Sequence, residues 1–190
     1  MKKIAVFASG SGTNYEAIVE SIKNDSLHAD IALVVVDNPD AYVIKRANNH
    51  NHKLFIFNPK DYKKKSEYET LILNELEKEE IDLVVLAGYM RILSAKFINK
   101  FGKKIVNLHP ALLPSFKGAH AIVDAYNFGV KVFGITVHYI DETIDGGIIL
   151  EQRAFHADEN DSIESIETKI HDLEHKYYPI TIERILKGEI

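Results

Sequence analysis

The sequence predicts an α/β protein built on a doubly wound, mainly parallel sheet. Short apolar runs such as "IAVFAS" (4–9) and "DLVVLA" (82–87) are typical of strands that are buried on both faces. Segments with helical spacing alternate with such runs from residue 4 to about 140, as in parallel strands joined by crossover helices. Two further apolar segments then follow each other closely, so we expect a hairpin that adds an antiparallel strand near the C-terminal edge.

The individual elements are assigned by composition and spacing. Each predicted strand is a run of apolar, often β-branched residues, and each predicted helix places apolar side chains three and four positions apart. The strands are expected at 4–9, 31–36, 53–57, 82–87, 103–109, 133–140 and 146–155. The helices are expected at 13–22, 40–50, 61–80 and 119–128, with a last helix capped by Asp161 and Glu164.

Length and composition limit the class of protein. The chain has 190 residues, 46% of them hydrophobic, and we expect a single domain over 1–190. A net charge of −5 argues against a general nucleic-acid binder, and no apolar run approaches the roughly 20 residues of a membrane span. The lack of cysteine excludes disulfides, thiolate zinc sites and cysteine nucleophiles. Because the first strand starts at Lys3, we expect no signal peptide, and a cytoplasmic protein that binds neither nucleic acid nor membrane.

The stretch "SGSGTN" (9–14) predicts an anion site. A strand, two glycines and a helix start leave free backbone N–H groups at a helix N-terminus, which suits a phosphate. A dinucleotide fingerprint would need glycine where Tyr15 stands, so a monophosphate fits better than a dinucleotide. The alternative is a tight turn with Thr13 or Asn14 as the helix cap.

Asn107 and His109 stand near the end of the predicted fifth strand, just before Pro110. Strand alternation directs both side chains to one face. An amide N–H can hold a developing oxyanion, and an imidazole can carry a proton near neutral pH. Carboxyl ends of parallel strands share one edge, so we expect His109 beside 10–14, 88–93 and 141–147. The alternative is a half-buried polar pair with a structural role only.

Asp145 is the candidate partner of His109. The 141–147 loop follows a strand whose carboxyl end we expect at the His109 edge, and a carboxylate there would orient the imidazole and stabilise its cation. Thr136 and His138 alternate along the same strand and would support the pair. The alternative is an ordinary Asp-Gly hairpin turn.

The segment "HDLEH" (171–175) matches the H-x-x-E-H pattern of some zinc peptidases. His171 and His175 would share one helix face, but a zinc site needs a third ligand, and helix surfaces rich in His and Glu are common. We therefore expect no metal site.

Five motifs, taken together, resemble the phosphoribosylglycinamide formyltransferases, a folate-dependent family of purine synthesis. They are "FASGSGTN", "LAGYMRILS", "NLHPALLPSFKG", "TVHYIDETIDGG" and "EHKYYP", and they cover essentially the whole chain. The resemblance implies a Rossmann-like formyltransferase fold and formyl transfer from 10-formyltetrahydrofolate, a co-substrate, to phosphoribosylglycinamide. It implies small-molecule partners, no metal, and a monomer or weak homodimer.

Carried over to matching positions, the resemblance assigns three groups of residues. The catalytic group stabilises the formyl oxygen as it becomes anionic and relays protons, and it comprises Asn107, His109 and Asp145. The ribonucleotide group lies mainly in the N-terminal half and comprises Gly12, Thr13, Asn14 and Glu174. The folate group comprises Lys65, Met90, Arg91, Ile92, Leu93, Asp141 and Asp145. The role of Glu174 replaces the zinc interpretation of "HDLEH".

Two other functions remain open at this stage. A formyltetrahydrofolate hydrolase would use the same Asn–His–Asp group with water as the acceptor, and methionyl-tRNA formyltransferases share the group as well. Relatives of these two kinds usually carry an extra domain, which we do not expect in this chain. A non-catalytic binder of a phosphorylated metabolite would use the 10–14 loop without the histidine.

Overall fold

A computed structural model describes residues 1–101 and 105–190 of the chain. The strands are β1 (Lys2–Ala8), β2 (Ala29–Val36), β3 (Leu54–Ile56), β4 (Leu83–Leu86), β5 (Ile105–His109), β6 (Val132–Tyr139) and β7 (Ile149–His156). They form one seven-stranded sheet in the order β3-β2-β1-β4-β5-β6-β7. Strands β1 to β5 pair in parallel, and β6 and β7 are antiparallel. The predicted fold class is confirmed. Residues 103 and 104 of the predicted fifth strand lie outside the described residues.

Helices cover both faces of the sheet. They are α1 (Thr13–Lys23), α2 (Val43–Asn49), α3 (Lys65–Lys78), α4 (Ala95–Phe101), α5 (Ala121–Phe128) and α6 (Ile163–Lys187). Alternate residues of β1 enter two separate cores: Ile4 and Val6 pack on the face covered by α1 and α6, whereas Ala5 and Phe7 pack on the face covered by α3 and α4. Burial on both faces explains the continuous apolar runs of the central strands.

Two helix predictions need correction, and one helix was not predicted. The helix expected at 61–80 begins only at Lys65, because Pro59–Asp61 forms a separate 3₁₀ turn. The helix α4 was not predicted; its first turn is held by Ser94, whose Oγ accepts a hydrogen bond from the Phe97 N–H at 3.3 Å. The last helix is capped by Ser162 rather than by Asp161, since the Ser162 side chain accepts from the Ser165 N–H.

The expectation that β6 ends at the His109 edge is wrong. Strand β6 runs antiparallel to β5, with Tyr139 opposite Val106 and Thr136 opposite His109. The carboxyl end of β6 therefore lies beside the start of β5, at the opposite end from His109. The 141–147 loop folds back from there to reach His109. The contact between Asp145 and His109 therefore depends on the path of the loop and not on the direction of β6.

The helix α6 is fixed to the centre of the sheet by one buried hydroxyl. Tyr178 is fully buried, and its phenolic O–H lies 2.8 Å from the Leu86 carbonyl and 3.1 Å from the Val106 carbonyl. These two carbonyls belong to neighbouring strands β4 and β5. The contact holds the second half of α6 against β4 and β5. Within the described ranges, no helix has both the length and the apolar character needed to cross a bilayer.

Candidate active site

The 9–14 stretch forms a glycine turn between β1 and α1. Gly12 is the N-cap of α1 and has a left-handed backbone, with φ 75° and ψ 31°. A Cβ at this position would stand 2.5 Å from Cγ2 of Val43, so α2 packs directly against the turn. Among residues 1–101 and 105–190, no side chain caps the helix start. First-turn N–H groups of α1 are therefore available to an anion.

Arg46 of α2 braces this turn from outside. Its Nε donates to the Ser11 carbonyl at 2.9 Å, and its Nη1 lies 3.2 Å from Oε2 of Glu16. Sequence reasoning missed Arg46, because nothing local indicates that α2 packs on the turn.

Asn14 joins the turn to α6. Its Nδ2 donates to Oε2 of Glu174 at 3.1 Å, and Glu174 is only 5% exposed. The same carboxylate oxygen lies 2.9 Å from Nδ1 of His171, and this hydrogen bond raises the pKa of His171. Oδ1 of Asn14 is buried and has no hydrogen-bond partner in the described part of the chain. A buried acceptor without a partner at the edge of an anion site is suited to a ligand hydroxyl or amine.

Asn107 and His138 form a neighbouring pair on β5 and β6. Nδ2 of Asn107 lies 3.2 Å from Nε2 of His138. Nδ1 of His138 faces two backbone carbonyls, Tyr139 at 3.0 Å and Gly146 at 2.7 Å. Burial lowers the pKa of His138, so its ring is neutral near pH 7. A neutral ring that donates from Nδ1 must accept at Nε2. His138 therefore accepts a hydrogen bond from the Asn107 amide and fixes its orientation. The second hydrogen of this amide has no partner in the part of the chain that the structure describes.

His109 lies between a carboxylate and a carbonyl. Nδ1 is 3.5 Å from Oδ1 of Asp145, and Nε2 is 2.8 Å from the Phe116 carbonyl. Oδ2 of Asp145 accepts from the Gly118 N–H at 2.6 Å. Both ring nitrogens face oxygen acceptors, which matches the two donors of an imidazolium.

The positions of Asp145 and of the segment after β5 are held by the backbone. Asp145 has a left-handed backbone with φ 48°, an unusual conformation for a residue other than glycine that is often found at functional sites. Thr136 is fully buried; its hydroxyl donates to the Ala111 carbonyl and accepts from the Leu113 N–H. Thr136 thus fixes the chain just after His109.

The "YMRIL" segment (89–93) follows β4, next to β5 in the sheet. Met90 and Ile92 are 72% and 65% exposed, whereas Leu93 is buried in the core. Nε of Arg91 lies 2.8 Å from Oδ2 of Asp37, a buried carboxylate just after β2. Asp37 was also missed, although the rule that ligands lie at carboxyl ends of parallel strands could have found it. Exposed large apolar side chains just after a parallel strand offer a surface for an apolar ring.

Lys65 and Asp141 lie at two outer positions of the site. The Lys65 ammonium donates to the Ile92 carbonyl and lies 3.7 Å from Oε1 of Glu69. Oδ1 of Asp141 accepts from both the N–H and the hydroxyl of Thr143, and these bonds lower the pKa of Asp141. Asp141 therefore stabilises the turn that carries Asp145. Among the described residues, no group of three or more His, Asp or Glu side chains is arranged to hold a metal ion.

Comparison with known proteins identifies the family. The sequence profile described as formyl transferase matches residues 2–182. The chain belongs to the formyl transferase family. Members of this family use a formyl folate as co-substrate.

Individual formyltransferases resemble the chain over nearly its full length. It is 48% identical to the phosphoribosylglycinamide formyltransferase of Bacillus subtilis (strain 168), over 98% of this chain and 95% of that protein. The crystal structure of phosphoribosylglycinamide formyltransferase from Bacillus halodurans has a TM-score of 0.95 and 43% identity, covering 100% of this chain and 97% of that one. Glycinamide ribonucleotide transformylase 1 from Geobacillus kaustophilus has a TM-score of 0.95 and 47% identity, over 98% and 99% of the two chains.

Proposed function

We propose that this formyltransferase transfers the formyl group of 10-formyltetrahydrofolate to the amine of 5-phosphoribosylglycinamide, a step of purine biosynthesis. The observation that carries the proposal is the arrangement of three side chains at the end of β5. Asn107 and His109 belong to that strand, and Asp145 reaches it from the loop after β6. The near full-length similarity to phosphoribosylglycinamide formyltransferases supports the choice of substrates. We regard residues 1–190 as one catalytic domain. Its cytoplasmic location and its monomeric or weakly dimeric state stay predictions.

The ribonucleotide occupies the side of the site next to α1. Its phosphate accepts from backbone N–H groups of Gly12, Thr13 and Asn14 at the uncapped start of α1. Its ribose or glycinamide end meets Glu174 and the unpartnered Oδ1 of Asn14. This orientation directs the amine along the sheet edge toward His109.

The folate occupies the other side of the site. Its pterin lies between the "YMRIL" segment and the loop from Asp141 to Asp145, which contacts it through backbone groups. The exposed Met90 and Ile92 supply apolar surface, and Leu93 anchors the segment in the core. Asp37 holds the Arg91 side chain against the end of β2, so Arg91 acts from a fixed position. Lys65 stands at the outer end, where the glutamate tail of the folate leaves the pocket.

The reaction forms one carbon–nitrogen bond and breaks another. The amine attacks the formyl carbon, whose oxygen becomes anionic, and the bond to the folate nitrogen then breaks. The free amide N–H of Asn107 and Nε2 of protonated His109 donate to this oxygen, which replaces the Phe116 carbonyl as acceptor. One proton must leave the attacking nitrogen and one must reach the departing nitrogen. His109 relays them, and Asp145 holds the imidazole in position.

A formyl-transfer assay with single omissions tests this function. The purified protein with both substrates should release tetrahydrofolate and formylated ribonucleotide in equal amounts, and a chelator should not reduce the rate. Omission of the ribonucleotide should stop turnover. Continued loss of the formyl group without ribonucleotide would identify a hydrolase, and binding of the ribonucleotide without turnover would identify a non-catalytic binder.

A further inference from the structure

Ser9 joins the glycine turn to the chain that follows β4. Its N–H donates to the Gly88 carbonyl at 3.1 Å, and its Oγ accepts from the Met90 N–H at 2.8 Å. Ser9 is the first residue of the glycine turn, and Met90 belongs to the "YMRIL" segment. The two segments proposed to hold the ribonucleotide and the folate are therefore connected through one half-buried residue.

The geometry of the two strands explains why a side chain makes this connection. Inside the sheet, β1 and β4 are joined by backbone hydrogen bonds such as that from the Ala87 N–H to the Phe7 carbonyl, at 2.8 Å. Gly88 then takes a left-handed backbone, with φ 75°, and ends the extended conformation of β4. Beyond this point the acceptor for the Met90 N–H is the Ser9 hydroxyl and not a backbone carbonyl. Removal of that hydroxyl alone would therefore break the connection.

The helix α2 holds the glycine turn from the other side. The Gly10 carbonyl accepts from the Val43 N–H at 3.1 Å, and the Ser11 carbonyl accepts from Nε of Arg46 at 2.9 Å. Two successive carbonyls are thus bound to α2, so the turn is held as one unit. An anion that fixes the first turn of α1 therefore also fixes the hydroxyl of Ser9.

The "YMRIL" segment has less support than the glycine turn. Met90 and Ile92 are largely exposed, and Leu93 alone among the apolar side chains at 90–93 enters the core. In the part of the chain that the structure describes, the Met90 amide has Ser9 as its one hydrogen-bond partner. Ordering such a segment for a ligand costs free energy, and a contact that orders it beforehand lowers this cost.

We propose that Ser9 is a positioning residue that couples the two substrate sites, so that each substrate raises the affinity for the other. The proposal rests on the proposed function. The ribonucleotide phosphate at the start of α1 fixes the glycine turn, and the Ser9 hydroxyl then holds the Met90 backbone in the conformation that receives the folate. The effect is reciprocal, because a coupling free energy belongs to both sites. One hydrogen bond of ordinary strength can carry a coupling of about fivefold.

Calorimetry measures this coupling without turnover. A non-reactive analogue of the formyl folate is titrated with and without saturating 5-phosphoribosylglycinamide, and the wild-type Kd should be about fivefold lower with the ribonucleotide. Ser9→Ala should reduce this ratio to less than twofold, and Ser9→Thr, which retains a hydroxyl, should restore it. Ser11→Ala is the matched control, because Ser11 is exposed and its hydroxyl has no partner within residues 1–101 and 105–190. It should retain the wild-type ratio.

The Met90 amide reports on the connection directly in the wild type. Ribonucleotide alone should shift the amide resonance of Met90 and slow its hydrogen exchange by about threefold or more, since the bond to Ser9 is held more firmly. The same addition should leave this amide unchanged in Ser9→Ala. A purely structural role of Ser9 would lower the melting temperature of Ser9→Ala and leave the ratio of Kd values as in the wild type.

Three results would overturn the coupling: a wild-type ratio near one, a Met90 amide that does not respond to the ribonucleotide, or a wild-type ratio in Ser9→Ala. Coupled binding of both ligands without formyl transfer would overturn the proposed reaction and retain the coupling. A wild type that binds neither ligand would overturn both.

Discussion

Asn14 donates a hydrogen bond to Glu174 across 160 residues of sequence, with a distance of 3.1 Å between Nδ2 and Oε2. This contact joins the glycine turn after β1 to the first half of α6, so the ribonucleotide side of the site is built from both ends of the chain. Glu174 also holds His171, and burial of the carboxylate makes this small network sensitive to a change of charge.

Glu174→Gln keeps the size of the side chain and removes its charge. We expect the KM for the ribonucleotide to rise by about tenfold or more, because the buried charged hydrogen bonds to Asn14 and the ligand are weakened. The KM for the formyl folate should change less than twofold, since within the described ranges Glu174 pairs with Asn14 and His171 and not with the folate side. Steady-state kinetics for both substrates checks this. A parallel rise in both KM values would assign Glu174 a structural role.

Gly12→Ala should lower both stability and affinity for the ribonucleotide. The added Cβ meets Val43 in a left-handed backbone, and about 1 kcal/mol of strain adds to the steric clash. Gly10→Ala is the matched control, because no heavy atom of the described residues, apart from its chain neighbours, lies within 4 Å of its added Cβ. The double variant Gly12→Ala/Val43→Ala should recover part of the lost melting temperature. Equal melting temperatures for the Gly10 and Gly12 variants would show that the turn is not constrained in this way.

His171 should make stability depend on pH. The hydrogen bond that His171 donates to Glu174 raises the pKa of His171 in the folded protein, with Glu167 and Asp172 also nearby. The stabilisation is fully present below the unfolded value of about 6.5 and is lost as pH rises through the raised folded pKa. His171→Gln should therefore lower the free energy of unfolding by about 1 kcal/mol or less at pH 6, a small value because the side chain is half exposed. The difference should vanish well above the folded pKa. Denaturant unfolding at both pH values tests this, and a difference that is independent of pH would exclude the ion pair as its cause.

His138 should affect the rate rather than binding. Its neutral ring accepts from Asn107 at Nε2, so His138→Phe leaves the amide free to rotate away from the formyl oxygen. We expect kcat to fall by about tenfold to a hundredfold with both KM values nearly unchanged. His138→Gln retains an acceptor and should restore part of the rate. Equal activity of the Phe and Gln variants would show that the hydrogen bond to Asn107 does not position the amide.

The parts of the fold that depend on local pattern were predictable from the sequence. Continuous apolar runs gave β1, β2 and β4, and alternation placed Asn107 and His109 on one face of β5. The short helix α4 was missed because seven residues carry too little periodic signal between a strand and a predicted loop. Strand direction was misjudged at β6, since a run of apolar residues has the same appearance in a parallel and an antiparallel strand.

The parts of the site that depend on tertiary packing were beyond reach of residue-level reasoning. Asp145 was expected near His109 for the wrong reason, because the loop reaches His109 by folding back from the far end of β6. Glu174 was assigned through the family resemblance alone, since nothing in the pattern of α6 shows that it crosses over Asn14. Arg46 braces the glycine turn through a long-range contact that no local motif records.

The central claim is that His109 and Asp145 act as one catalytic unit, and a double-mutant comparison of kcat/KM tests it most directly. Asp145→Asn keeps the side-chain shape and removes the charge 3.5 Å from Nδ1 of His109, and we expect kcat/KM to fall by about 100-fold or more. His109→Asn should be at least as damaging, and the double variant little worse than His109→Asn alone, because groups that act together are not additive. Melting curves must show that each variant is folded. A folded Asp145→Asn protein with wild-type kcat/KM, or losses that multiply in the double variant, would contradict the claim.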